Sequence, residues 1–539
     1  MGIYLNPDHM EFQEALNSKI YVDKSEMISI TNRLIRTEQK YICTSRPRRF
    51  GKSMAANMMV AYYSRGCDSA ELFQNLKISS DPAYEKHLNK YNVIHLNMTD
   101  FLSEGDTMQE ILAELERVIL FDILREFPDV DYYKPTQLMR TLKDVFAQKK
   151  VPFIFIIDEW DCIFRVHKHD LDAQTTYLNF LRDLLKNKSY VALAYMTGIL
   201  PIKKYGEHSA LNMFTEVSMT DVREYAEFTG FTEAEVRALC EEYNMPFEET
   251  KRWYDGYELR GVSVYNPRSV VMSMTGGYFS NYWTSTETYE ALKVYIEMNF
   301  DGLREKIVRM IAGGSVKINP RKFQNDMTTF HSADDVLTLL VHLGYLTYDF
   351  DRESVHIPNS EVQQEFINSI EDGGWESVMD SINQSEELLN ATIAGDAQAV
   401  ASAIEQVHQE NTSILKYNDE NSLACVISLA YYSARRKYRM LRELPTPSGN
   451  GVGIPHLRMF GIPTGKGYAD VVLVPYKTTD SPAIVIELKY EKSAESAIEQ
   501  IKRKDYCDAL EGFSGEILLV GVSYDGEKRH RCVIEKVTK

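Results

Sequence analysis

Four short apolar runs punctuate the first 220 residues: KYICTS, NVIHLNMTDF near 92–101, FIFIIDE at 153–159 and VALAYMTG at 191–198. Between them lie stretches such as MQEILAELERVILFDILREF, whose apolar residues recur at i, i+3, i+4 and i+7 as on one face of a helix. Runs that are apolar throughout suit strands buried on both faces, and such strands are joined in parallel by crossover helices. The alternation therefore predicts an α/β fold with a parallel sheet. In a sheet of that kind, chemistry gathers in the crevice at the carboxyl ends of the strands.

Three of these strand ends carry the residue types that nucleotide chemistry needs. KYICTS runs into RPRRFGKS and then into the helix-like MAANMMVAYY, the strand–loop–helix order of a phosphate-binding loop. In such a loop, backbone N–H groups and a helix start face the phosphates. Gly51, Lys52 and Ser53 supply that end intact, with Lys52 reaching the β/γ oxygens of ATP and Ser53 placed for Mg²⁺. The usual first glycine is replaced by Arg46, and Pro47 restricts the backbone where a glycine would leave it free. Arg48 and Arg49 either neutralise phosphate charge or form a solvated basic loop; Arg49 is taken as a nucleotide contact. FIFIIDE ends in Asp158, suited to the Mg²⁺ shell, and Glu159, suited to orienting or deprotonating the attacking water. VALAYMTG ends in Thr197 and Gly198, and Thr197 offers a hydroxyl to sense the γ-phosphate. An acidic pair after one strand can be mere solvated surface, but GKS and DE closing strands of one block point to a P-loop NTPase sheet.

The last 120 residues have a different rhythm. GYADVVLVPY and PAIVIELKY are β-rich runs joined by a turn, KTTDS, and read as a hairpin, followed by the helix AESAIEQIKRKDY and the strand GEILLVGVSY. Side chains alternate along a strand, so Glu487 and Lys489 share one face while Leu488 looks away. Asp470 on the neighbouring run adds a second carboxylate. Two carboxylates are hard ligands for Mg²⁺ or Mn²⁺, and a lysine beside them can stabilise phosphorane-like charge or activate water. This is the PD-(D/E)xK pattern, although Ala469 stands where a proline usually precedes the aspartate. Glu443 is a weaker candidate for a further carboxylate.

Between the two blocks, residues 221–290 read as a helical lid of short helices and aromatic loops. Residues 291–372 read as winged-helix-like, with a helix ending at Gly344 before two short strands. Residues 373–420 form a helical connector; 1–220 and 421–539 are the ATPase-like and nuclease-like blocks. WYDGYELRG and YNPRS are aromatic-rich, and such density packs a subdomain more often than it touches adenine.

A net charge of −18 disfavours indiscriminate binding of polyanions, so any DNA contact must be local. Two basic clusters could supply one: Arg435, Arg436, Lys437, Arg439 and Arg442, expected on one helix, and Lys502, Arg503 and Lys504; simple solvation explains them equally well. The 7 cysteines stand singly, without a CxxC pair or a Cys/His cluster, which argues against a disulfide framework and a structural zinc. No apolar run approaches a membrane span and no secretory signal opens the chain, which predicts a cytoplasmic protein.

RPRRFGKS, the upstream YVDKSEMI, IIDEWD, MTGI, WYDGY, YNPRS and the YW at 282–283 together resemble the bacterial AAA-ATPase-like proteins that carry a C-terminal PD-(D/E)xK nuclease-like domain. The resemblance spans nearly the whole chain. It implies that the missing first glycine is a family trait, that Gly51, Lys52 and Ser53 bind ATP, and that Asp158 and Glu159 form the Walker B pair. It also implies that Gln500 and Tyr506 contact the metal-bound water or the DNA backbone. The expected fold is a P-loop parallel sheet, a helical and winged-helix middle, and a restriction-endonuclease-like α/β domain. The expected activities are an ATPase and a Mg²⁺-dependent endonuclease. The rival reading is an ATP-driven signalling or interaction switch whose nuclease fold cuts nothing; a third is a nuclease whose ATP site is an inert scaffold. A homo-oligomer or a protein partner stays open.

Overall fold

A computed structural model of the chain describes residues 2–202, 210–283, 290–298, 301–323, 330–371, 375–411, 420–442, 471–476, 481–503, 513, 515–524 and 529–538. The chain divides into two compact units, Met1–Thr288 with Lys317–Glu365, and Tyr289–Val316 with Phe366–Lys539.

The first unit is built on strands β1 (Tyr41–Ser45), β2 (Asn92–Asn97), β3 (Phe153–Asp158), β4 (Val191–Gly198) and β5 (Thr215–Val217). They lie in the order β2-β3-β4-β1-β5, and every pairing is parallel. β3 and β4 are buried along their whole length, which is why their sequences are apolar without alternation. The helix Met108–Glu126 begins at Thr107, whose side chain and that of Glu110 form a reciprocal capping box. One expected strand is shorter than its apolar run. β2 stops at Asn97 because the Asn97 side chain accepts from the Thr99 N–H and starts a 3-10 turn, Met98–Phe101.

The segment after β5 contains the helices Glu233–Glu242, Phe247–Tyr254 and Pro267–Gly276. It also holds a small antiparallel sheet where the sequence suggests aromatic loops. Its strands Phe231–Thr232, Val262–Tyr265 and Tyr257–Leu259 lie side by side in that order. Leu259 pairs with Val262 across a two-residue turn, Arg260 and Gly261, both at positive φ (52° and 88°), the backbone of a tight hairpin. Farther on, the helix Ala333–Leu343 ends at Gly344 and leads into the antiparallel strands Thr347–Asp349 and Ser354–His356.

The second unit combines the helices Glu376–Ala394, Ala397–Asn411 and Glu420–Ala430 with a five-stranded mixed sheet. The strands run Tyr438–Arg442, Val471–Pro475, Ala483–Tyr490, Glu516–Tyr524 and His530–Thr538 from edge to edge. Ala483–Tyr490 is antiparallel to Val471–Pro475, the predicted hairpin, and parallel to Glu516–Tyr524. The helix Ala494–Arg503 buries Ala494, Ala497, Ile498 and Ile501 against this sheet. The helix expected to carry Arg435, Arg436, Lys437, Arg439 and Arg442 is not one element. It stops at Ala430, a 3-10 turn covers Tyr432–Arg436, and Tyr438–Arg442 becomes an edge strand paired with Val471–Pro475. In that strand Tyr438 is buried and Arg439 exposed, the alternation of a strand with one face covered. The basic cluster from Arg435 to Arg442 is therefore divided between a turn and a strand.

Among the described residues no helix is long and apolar enough to cross a membrane. The six described cysteines are free thiols, and all but Cys532 are buried.

Candidate functional site

Because β4 lies between β1 and β3, three loaded strand ends meet at one edge of the first unit. After β1 the loop turns at Gly51 (φ 85°), which precedes the helix Lys52–Tyr63. Lys52 is buried, and its Nζ donates to the Pro47 carbonyl at 2.9 Å, so the side chain folds back along the loop that would hold phosphates. Burial pulls the Lys52 ammonium below its ordinary range, against the opposing pull of Glu159, Asp161 and Asp158. The Ser53 hydroxyl bonds the Asp158 carboxylate, which burial holds above the usual carboxylate range despite that bond. Two hard oxygen donors in contact beside a buried lysine fit Mg²⁺ with a bound polyphosphate. Thr197 lies near the end of β4, fully buried, and its Oγ1 has no hydrogen-bond partner.

Arg46, in the place of the absent glycine, does not face outward. Its guanidinium is fully buried, with Nε donating to Thr229 Oγ1 at 2.8 Å and Nη1 to the Ser45 carbonyl at 2.9 Å. Burial, against an opposing pull from Tyr195, brings its pKa down to about 10. Arg49 sits at positive φ (68°) and is partly buried; burial, with Arg268 and Arg48 nearby, pulls it below its usual range.

Glu159 turns out of β3 in the left-handed region (φ 50°) and forms an ion pair with Arg165. Arg165 also lies 3.4 Å from Asp161, which is fully buried and whose Oδ2 accepts from the Ile199 and Leu200 N–H groups at 3.2 and 2.9 Å. Gly198 makes room for this carboxylate, since a Cβ there would sit 2.4 Å from Asp161 Oδ1. Sequence reasoning missed both Asp161 and Arg165. The available clue was the i,i+4 spacing of the two within IIDEWD and the residues that follow.

The aromatic motifs are structural. Phe50 of the phosphate loop packs edge-on against Tyr257 at 5.0 Å and accepts from the Gly230 N–H at 3.0 Å, while the Tyr257 hydroxyl donates to the Gly344 carbonyl at 2.9 Å. Asn266 caps the helix Pro267–Gly276. The buried Glu361 carboxylate accepts from the Ser269 hydroxyl and from the backbone N–H groups of Tyr282 and Trp283, all at 2.8–2.9 Å. WYDGY, YNPRS and YW thus tie this unit together around the loop.

In the second unit, Glu487 and Lys489 share a face of the strand Ala483–Tyr490, as alternation requires, and both are buried. Lys489 Nζ donates to Glu487 Oε1 at 2.7 Å, and Gln500, on the helix Ala494–Arg503, donates its amide to the same carboxylate. Asp470, Glu443 and Tyr506 lie outside the described residues. Among the described residues no group of three or more His, Cys, Asp and Glu side chains converges as a metal site. The basic side chains nearby are partly committed: Lys502 pairs with Glu535 at 2.5 Å, and the Arg435 guanidinium lies over the Tyr432 ring at 5.8 Å.

Comparison with known proteins separates the same two regions. Residues 10–206 match the family model described as a predicted AAA-ATPase, and residues 461–534 match that of the PD-(D/E)XK nuclease superfamily. The chain joins an AAA-ATPase-like module to a PD-(D/E)XK nuclease-like module. Over 281 residues it is 24% identical to an uncharacterized protein in the vnfD 5'region of Azotobacter chroococcum mcd 1. That match covers 50% of this chain and 51% of the relative, about half the length of each. Among solved structures, the chain is similar to the Aeropyrum pernix ORC2 protein, seen in ADPNP–ADP complexes, at 11% identity over 67% of this chain and 93% of that one, with a TM-score of 0.28. It is also similar to CDC6P from Pyrobaculum aerophilum, at 9% identity over 68% and 99% of the respective chains, with a TM-score of 0.23. Those scores are too low to bear on this chain's chemistry. The AAA-ATPase-like module has its loaded strand ends at the carboxyl ends of β3, β4 and β1, and the nuclease-like module contains Glu487, Lys489 and Gln500.

Proposed function

We propose that this chain binds and hydrolyses ATP and couples that cycle to a metal-dependent nuclease that cuts DNA phosphodiesters. The observation that carries the reading is the meeting of Lys52, Ser53, Asp158 and Glu159 at the ends of β1 and β3, the two strands that flank β4. The ATPase occupies 1–220, with a lid at 221–290; a winged-helix-like segment at 291–372 and a connector at 373–420 lead to the nuclease at 421–539.

Lys52, Arg49 and the N–H groups around Gly51 hold the phosphates, and Thr197 contacts the γ-phosphate. Mg²⁺, held by Ser53 and Asp158, neutralises phosphate charge when bound. Glu159 orients a water whose oxygen bonds to the γ-phosphorus as the bond to the β–γ bridging oxygen breaks. ADP leaves with that electron pair, and the water's proton passes to Glu159. In the nuclease, Asp470 and Glu487 hold the metal, with Glu443 as a further carboxylate. Lys489 faces the developing negative charge on the phosphodiester, and Gln500 and Tyr506 orient the water or the backbone.

Calorimetric titration with ATP and Mg²⁺ tests the first half: wild type binds and Lys52→Ala does not. Metal-dependent cleavage of linear and supercoiled DNA, lost in Glu487→Gln, tests the second. ATP binding without cleavage of any DNA under Mg²⁺ or Mn²⁺ would replace the nuclease by a nucleotide-driven interaction switch.

A further inference from the structure

The proposed proton acceptor of the ATPase site is already engaged. Glu159 leaves β3 in a left-handed conformation that residues with a Cβ seldom adopt, and that turn carries its carboxylate to Arg165. Arg165 is mostly buried, with 16% of its side chain exposed, and it is held from the other side by Asp161. Asp161 is in turn fixed by the Ile199 and Leu200 N–H groups just beyond β4. The guanidinium is therefore anchored by a carboxylate that takes no part in the chemistry, in a frame that joins the tails of β3 and β4.

The ion pair takes up Oε2 of the Glu159 carboxylate and fixes the direction in which the group faces, so that it is turned to Arg165 and not to a water beside the γ-phosphate. We propose that Arg165 is a positioning residue that withholds Glu159 from the attacking water and so sets the rate of ATP turnover. Each turnover requires Glu159 to leave Arg165 for the water, while Asp161 keeps Arg165 in place to take it back. The proposal rests on the ATPase reading above and adds a brake to it. Its specific consequence is that weakening the Arg165–Glu159 pair accelerates hydrolysis, whereas an arginine contacting phosphate would slow it when removed.

The test is steady-state ATP hydrolysis by the full chain in wild type, Arg165→Gln, Arg165→Lys, Glu159→Gln and the Arg165→Gln/Glu159→Gln double variant, with ATP affinity measured calorimetrically for each. Arg165→Gln is expected to raise kcat by about fivefold, the rate equivalent of losing a partly screened ion pair, with KM unchanged. Arg165→Lys, which keeps a charge but not the fork, falls between it and wild type. The double variant is as slow as Glu159→Gln, because the brake acts only through Glu159. A kcat for Arg165→Gln at or below wild type, with ATP still bound, overturns the brake and leaves the ATPase reading standing. A wild-type chain that binds no ATP removes both. If Arg165→Gln does not fold, a kcat for Arg165→Lys no higher than wild type is sufficient to overturn the brake.

Discussion

Glu361 gives a prediction whose size can be worked from the structure. Its carboxylate is 1% exposed and accepts from Ser269, Tyr282 and Trp283, joining the YNPRS and YW segments. Burial outweighs these three donors and lifts its pKa from 4.5 to about 7, with Glu365 adding to the rise. A folded-state pKa above the unfolded one means that the folded chain holds the proton more tightly. The resulting stabilisation is full below about pH 4.5 and is lost as pH rises through 7. Between pH 5 and pH 8 the loss amounts to about 2.5 kcal/mol, at about 1.4 kcal/mol per tenfold change in proton affinity. Glu361→Gln keeps the shape and the acceptor oxygen but cannot ionise. Urea denaturation followed by tryptophan fluorescence, with Trp283 directly on the site, should show the variant gaining on wild type by about 2–3 kcal/mol from pH 5 to pH 8. Groups that do not interact with Glu361 cancel in this difference. Parallel pH profiles for the two proteins would refute the reasoning.

Two further substitutions test the packing. Gly256 in WYDGY has φ 102°, and a Cβ there would meet the Pro358 carbonyl oxygen at 2.0 Å. Gly256→Ala should therefore cost at least about 3 kcal/mol, read as a lowered denaturation midpoint of the first unit, and a midpoint within error of wild type would contradict the close approach. In the second unit, Glu487→Ala leaves the Lys489 ammonium buried without its 2.7 Å partner and should cost about 3 kcal/mol. Adding Lys489→Met should restore part of that loss, whereas strictly additive effects would mean that the pair is not coupled.

The parallel sheet was legible because β3 and β4 are buried on both faces, so their apolar runs carry no competing pattern. The strand ends were legible too: GKS and DE each follow such a run, and alternation alone put Glu487 and Lys489 on one face. What stayed hidden depended on partners distant in sequence or on unusual turns. The Tyr257–Tyr265 hairpin turns through Arg260 and Gly261, not the Asn-Gly or Asp-Gly that usually announces such a turn. Tyr438–Arg442 continues a helical-looking run and becomes a strand only by pairing with Val471–Pro475. Arg46 stands where a phosphate loop usually has its first glycine, and nothing local shows that its guanidinium turns inward to Thr229, a residue far along the chain. Arg165 could be placed beside Glu159 only once the left-handed turn at Glu159 was known.

The central claim is that one nucleotide site governs one nuclease site on the same chain. The most direct measurement is cleavage of supercoiled plasmid in Mg²⁺ or Mn²⁺, with and without ATP, by wild type, Lys52→Ala and Glu487→Ala side by side. The account predicts that ATP changes the cleavage rate of wild type, that Lys52→Ala cuts without responding to ATP, and that Glu487→Ala does not cut. Cleavage that is identical with and without ATP in wild type and Lys52→Ala, or that survives Glu487→Ala, would contradict it.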